Sequence, residues 1–126
     1  MTTLDQIMTR EVTVAEAGAS VSEVADRMLR GRVGSAVVME GSMLLGIFTE
    51  RDVLRATAAG VDPAGARVSE WMTADPVTAD PSMDADEAVQ VMMSSGFRHL
   101  PVLDAGRVVG IVSLRDIVRT RIGRRD

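Results

Sequence analysis

The sequence predicts a small α/β (α+β) protein built from one β-α-β-β-α unit used twice. Two observations carry that reading. Gly46-Ile47-Phe48-Thr49-Glu50-Arg51-Asp52-Val53 and Gly110-Ile111-Val112-Ser113-Leu114-Arg115-Asp116-Ile117 are versions of one stretch. Each reads as a buried strand running straight into a helix, with a hydroxyl residue at the junction and an aspartate three positions on. The offset of 64 residues between them persists along the chain, setting Met28 on Met92, Val38 on Val102, Glu23 on Glu87 and Met8-Thr9 on Met72-Thr73. Self-similarity at a fixed period marks a repeated supersecondary unit. Half of the chain, roughly 60 residues, would be marginal alone, so the two repeats are expected to share one core.

Residues 1–10 form a lead-in with Leu4, Ile7 and Met8 on an apolar face, matched by Val68, Trp71 and Met72. Val12-Thr13-Val14 is a short predicted strand, matched by Val77-Thr78-Ala79 with the offset slipping by one. Ser20-Val21-Ser22-Glu23 reads as a capping box opening a helix. Val21, Val24, Ala25, Met28 and Leu29 then recur at helical spacing, and Gly31 is the expected stop. In the second copy Asp84-Ala85-Asp86-Glu87 is the cap, Ala85, Ala88, Val89, Met92 and Met93 are the stripe, and Gly96 ends it. A hairpin follows in each copy, with strands at 35–39 and 43–48, then at 99–103 and 107–112. Turns of about three residues are expected at Glu40-Gly41-Ser42 and Asp104-Ala105-Gly106. The closing helices run over 50–58, with Val53, Leu54 and Ala58 facing inward, and from Leu114 to about Ile122, with Ile117, Val118 and Ile122 inward. Asp62-Pro63 and Gly65 mark a linker. Repeat 1 with its lead-in is 1–60, the linker 61–67, and repeat 2 with a basic tail 68–126.

Composition narrows the function. Apolar residues at 46% and charged residues at 25% are ordinary for a globular chain. The apolar runs are far short of a membrane span, and Met1-Thr2-Thr3-Leu4-Asp5 has no secretory pattern, so a cytoplasmic address is the default expectation. The absence of cysteine excludes disulfides and thiolate metal sites, and one histidine supplies too few of the usual zinc ligands. A net charge of −4 argues against a general nucleic-acid binder. Phe48, Trp71 and Phe97 are the only aromatics, too few to stack successive bases. Arg119, Arg121, Arg124 and Arg125 read as a solvated helix end complementing the dipole. No constellation of nucleophile, base and oxyanion donors points to an enzyme.

Thr49-x-x-Asp52 and Ser113-x-x-Asp116 admit two readings. A hydroxyl at the N-cap with an acid at N3 is a capping pattern. A helix N-terminus facing a cleft is also a natural phosphate site. Arg51 and Arg115, in the first helical turn of both copies, oppose the dipole and are not what a cap requires.

Each repeat resembles a CBS domain, the β-α-β-β-α unit named after cystathionine β-synthase, and the tandem resembles a CBS pair, or Bateman module. Residues 46–52 and 110–116 carry the likeness, supported by Gly96-Phe97-Arg98-His99-Leu100-Pro101-Val102 and the lead-ins Ile7-Met8-Thr9 and Trp71-Met72-Thr73. The resemblance implies two repeats packed through their sheets, with two clefts that bind adenine-containing ligands: AMP, ADP, ATP, NAD-type nucleotides or S-adenosylmethionine. It implies phosphate contacts from Thr49 and Ser113, and ribose contacts from Asp52 and Asp116. Arg98 and His99 become phosphate readers, with Arg51 and Arg115 as additions. The first repeat departs from the pattern, because Gly34, Ser35 and Val37 stand where Arg98, His99 and Pro101 stand.

The expectation is therefore a non-catalytic sensor of an adenine nucleotide, with no required cofactor or metal, acting as a homodimer on a downstream protein. The competing expectation is a structural or dimerisation module with degenerate clefts.

Overall fold

Where a chain carries two copies of one unit, each copy must still bury its own helix faces against its own sheet. The computed structural model, which describes residues 1–123 with side chains through Arg121, resolves this into two compact units. Unit 2 is Thr13–Pro76, and unit 1 is Met1–Val12 together with Val77–Asp126. The expected arginines 124 and 125, and the inward Ile122, lie outside the described residues and side chains.

Unit 2 contains β1 (Val14–Glu16), α2 (Val21–Gly31), β2 (Ser35–Glu40), β3 (Met43–Thr49), α3 (Glu50–Ala58), α4 (Val68–Trp71) and β4 (Thr73–Ala74). Its sheet has the order β1-β2-β3-β4. The β1 and β2 strands are parallel, joined by α2 as a crossover, and the other pairs are antiparallel. Unit 1 contains α1 (Leu4–Ile7), α5 (Ala85–Ser95), β5 (His99–Asp104), β6 (Arg107–Ser113) and α6 (Leu114–Gly123). Only β5 and β6 form a sheet there, but single bridges Ala79↔Val102 and Thr9↔Ile111 flank it where β1 and β4 flank theirs.

The lead-ins are exchanged between the repeats. Thr73 of the second lead-in pairs with Ile47 of repeat 1, and Thr9 of the first pairs with Ile111 of repeat 2. The backbone bonds repeat at the same offset. Leu4 donates to the Met83 carbonyl at 3.0 Å and Ala85 to the Thr2 carbonyl at 2.8 Å. In the other unit, Val68 donates to the Ala19 carbonyl and Val21 to the Ala66 carbonyl, both at 2.9 Å. The linker is thereby pinned at the start of α2, with Ser22 also donating to the Pro63 carbonyl at 2.9 Å. A one-turn helix has no stability of its own. The full burial of Leu4 and Val68 anchors these two, each side chain worth about 2 kcal/mol.

The expectation of one shared core is corrected. Leu4, Met8, Met92, Leu100, Val112 and Ile117 belong to one cluster, and Val24, Met28, Ala36, Phe48, Ala56 and Val68 to another. Each core is closed by a lead-in from the other repeat. That supplies the apolar surface that a repeat of this size lacks.

Five other expectations also change. Val14–Glu16, rather than 12–14, is the first strand, and Ala15↔Val38 matches Ala79↔Val102 without a slip. The predicted strand at 77–79 shrinks to a bridge, because Pro101 replaces Val37, whose N–H donates to the Thr13 carbonyl at 2.9 Å; proline has no such donor. Both hairpin loops have two residues, Gly41-Ser42 and Ala105-Gly106, each followed across the sheet by a bulge. Ala105 and Gly106 both take positive φ, as a tight primed turn requires. Helix α2 runs through Gly31 and ends on Arg32 in the left-handed conformation, where its counterpart α5 uses Gly96.

The last correction concerns the helix faces. Leu29, Leu54, Met93 and Val118 are exposed rather than inward, at 79%, 69%, 72% and 43%. Ala58 is exposed as well, and α3 buries Asp52 and Ala56 instead. The Ser20 cap holds, accepting from the Glu23 N–H at 3.1 Å, while the Glu23 carboxylate turns to Arg27.

The exchange depends on two glycines. A Cβ on Gly46 would lie 2.6 Å from the Thr73 carbonyl oxygen and 2.7 Å from the Met72 sulfur. One on Gly110 would lie 2.6 Å from the Met8 sulfur and 2.9 Å from the Thr9 carbonyl oxygen. Gly46→Ala and Gly110→Ala should each lose about 1–3 kcal/mol in chemical denaturation. Gly18→Ala, at a position with open space, should be nearly neutral.

Candidate functional site

In unit 1 the hairpin β5–β6 feeds α6, and the ladder sets His99 directly opposite Ser113. The Arg98 carbonyl accepts the Leu114 N–H at 2.9 Å, satisfying one of the free donors at the start of α6. At that start, the Ser113 N–H donates to Asp116 Oδ2 at 3.2 Å, and the Asp116 N–H donates to Ser113 Oγ at 3.1 Å. This is a reciprocal capping box. The Arg98 and Arg115 side chains are exposed, while His99, Ser113 and Asp116 are half-buried. The local fold therefore gathers Arg98, His99, Ser113 and Asp116 at one end of the hairpin, with Arg115 on the first helical turn.

Unit 2 repeats the geometry with other side chains. Ser35 lies opposite Thr49, and the Gly34 carbonyl accepts the Glu50 N–H at 3.1 Å. Asp52 Oδ2 accepts the Thr49 N–H at 2.9 Å and the Thr49 hydroxyl at 3.2 Å. Asp52 is 5% exposed, and Arg51 points to solvent. No cation stands on this strand end, because Gly34 and Ser35 replace Arg98 and His99.

Two contacts here escaped the sequence reading. Arg55 Nη1 donates to Asp52 Oδ1 at 2.9 Å, and its guanidinium lies 5.6 Å from the centre of the Trp71 ring. The i,i+3 spacing of Asp52 and Arg55 on α3 was the available signal for the first contact. Nothing local signals the second, because Trp71 arrives through the exchanged lead-in.

A match to the family model for CBS domains covers residues 4–59 and 68–123. The chain belongs to the CBS domain family. It is 36% identical over 118 residues to the CBS domain-containing protein YhcV of Bacillus subtilis, covering 93% of this chain and 84% of that one. Among solved structures, a CBS-domain protein from Burkholderia ambifaria MC40-6 superposes with a TM-score of 0.93 at 31% identity, covering 99% of this chain and 97% of its own. The CBS domain pair of protein MJ0100, solved with 5′-methylthioadenosine and S-adenosyl-L-methionine, gives 0.90 at 27% identity, covering 99% of both chains. As a CBS pair, the molecule carries each hydroxyl–aspartate step at the start of the helix that closes a repeat. Among the described residues, no helix is long and apolar enough to cross a membrane.

The two aspartates should differ in what they contribute to folding. Asp52→Ala removes a buried acceptor of three donors and should cost about 2–3 kcal/mol. Asp116→Ala removes a half-buried capping partner and should cost about 0.5–1 kcal/mol. Thermal melts of both variants check the ranking.

Proposed function

We propose that this CBS pair is a non-catalytic regulatory module that binds an adenine nucleotide, AMP, ADP or ATP, at the starts of α3 and α6. The observation that carries the reading is the convergence of Arg98, His99, Ser113 and Asp116 at one end of the β5–β6 hairpin. A capping box explains Ser113 and Asp116. It explains neither the exposed guanidinium of Arg98 beside them nor Arg115 on a turn where the dipole disfavours a cation. The adenosine-based ligands bound to the similar MJ0100 pair support the ligand class. Arg98 then favours phosphate-bearing members, since its planar fork matches phosphate oxygens and stays charged. Asp52 and Asp116 would accept the ribose hydroxyls, Thr49 and Ser113 would meet phosphate, and Arg51 and Arg115 would add charge.

Arg98→Ala should weaken AMP and ATP binding about 10- to 150-fold in calorimetry while leaving adenosine unaffected. S-adenosylmethionine, cationic at sulfur, should bind more weakly than the nucleotides. Unchanged nucleotide affinity, or S-adenosylmethionine binding best, removes the phosphate-reader assignment. The capping bonds of Asp52 and Asp116 favour a second reading, a dimerisation module without a ligand; it predicts no thermal stabilisation by any of these compounds.

The module would act as a homodimer. Leu29 and Leu54 in one unit, and Met93 and Val118 in the other, sit at corresponding positions and are all exposed. Each unit thus exposes two large apolar side chains that a second copy would cover. Light scattering at micromolar concentration should give twice the chain mass of 13.5 kDa.

A further inference from the structure

Resting on the reading of Asp52 and Asp116 as ribose acceptors, we propose that Arg55 and Trp71 make Asp52 a latched acceptor. Ligand binding at Asp52 would release the latch and pass the event to the lead-in segment 68–74.

A carboxylate offers about four lone-pair sites. Asp52 already uses three, for the Thr49 N–H, the Thr49 hydroxyl and Arg55. A ribose cis-diol brings two donors, so one existing donor has to leave. Both Thr49 donors hold Oδ2, so a diol hydroxyl that reaches Oδ1 meets Arg55 there even when the Thr49 hydroxyl turns to phosphate. Arg55 is the mobile one, with its side chain 57% exposed against 6% for Asp52. The same guanidinium lies over the Trp71 ring within the range of a cation–π contact. Trp71 ends the single turn of α4, and β4 begins two residues later against Gly46 and Ile47. A displaced Arg55 therefore loosens a short element that depends on tertiary contacts for its place.

Unit 1 has no such latch. Asp116 accepts the Ser113 N–H through its side chain and, among the described residues, makes no ion pair. Arg119 stands at the offset of Arg55 and is exposed, and Ile7 stands at the offset of Trp71 and has no π face. Three lone-pair sites on Asp116 remain for a diol, with nothing to displace. The two carboxylates are thus an open and a latched version of one acceptor. The open one fills first, and only the latched one reports.

Trp71 is the only tryptophan, so its fluorescence reads the latch directly in the full chain. Without ligand, Asp52→Asn and Arg55→Ala should produce the same change in Trp71 emission, and the double variant should add nothing. Emission untouched by Asp52→Asn overturns the latch. With AMP, and separately with S-adenosylmethionine, calorimetry should show two steps. The tighter step should be silent in emission and lost in Asp116→Ala. The weaker step should carry the emission change, vanish in Asp52→Ala and tighten about fivefold in Arg55→Ala, and less in Arg55→Lys. An emission change in the tighter step, or no tightening in Arg55→Ala, overturns the release. Absence of heat from both probes overturns the ribose reading and the release with it. The ligand-free emission of Asp52→Asn separates that result from failure of the latch itself.

Discussion

The close approach of Met72-Thr73 to Gly46, and of Met8-Thr9 to Gly110, is the constraint on which the rest of the molecule depends. At both places a backbone carbonyl and a thioether occupy the space that any Cβ would need. Only glycine permits the lead-in to lie against the last strand of the hairpin. Once it does, Leu4 or Val68 is driven into the core, and the bonds to the loop before the first long helix close. A 64-residue sequence period is thereby converted into two packing units whose boundaries are shifted by the length of a lead-in.

The shift has a consequence for the candidate site. The strand that carries Gly46 ends at Thr49, and the strand that carries Gly110 ends at Ser113. The glycine that accepts the lead-in and the hydroxyl that opens the site thus share one strand, three residues apart. A segment contributed by one repeat is in this way held against the strand that positions the other repeat's aspartate. Arg55 makes the link explicit in unit 2, since it touches both the carboxylate and the lead-in tryptophan.

Divergence between the copies is as informative as their likeness. Pro101 for Val37 removes one donor and reduces a strand to a bridge. Arg98 and His99 for Gly34 and Ser35 put a guanidinium and an imidazole at one strand end only. Ile7 for Trp71 removes the aromatic face that holds Arg55 in the other unit. The scaffold bonds survive at the same offset in both copies, while the side chains at the strand ends differ. Two copies of one fold therefore do not imply two equivalent sites.

The sequence by itself determined the repeat, the order of strands and helices, and the family. Those features rest on local signals: helical spacing at Val21, Val24 and Met28, glycine and acid at the turns, and a hydroxyl–aspartate step written twice. It also marked Thr49, Asp52, Ser113, Asp116, Arg98 and His99 as candidates, because each lies within a few residues of a helix start or strand end. Tertiary structure alone decided which body each lead-in completes and how many cores there are. It also left Leu29, Leu54, Met93 and Val118 outside, and brought Trp71 to Arg55. Helical periodicity assigns a residue to a stripe but does not fix the stripe's width, so residues at its margin stay ambiguous until the neighbouring sheet is placed. The lead-in exchange joins residues far apart in the chain through backbone bonds, which no side-chain pattern within the lead-in announces. Its only local trace is a glycine in a strand, which has its meaning once the approaching backbone is known.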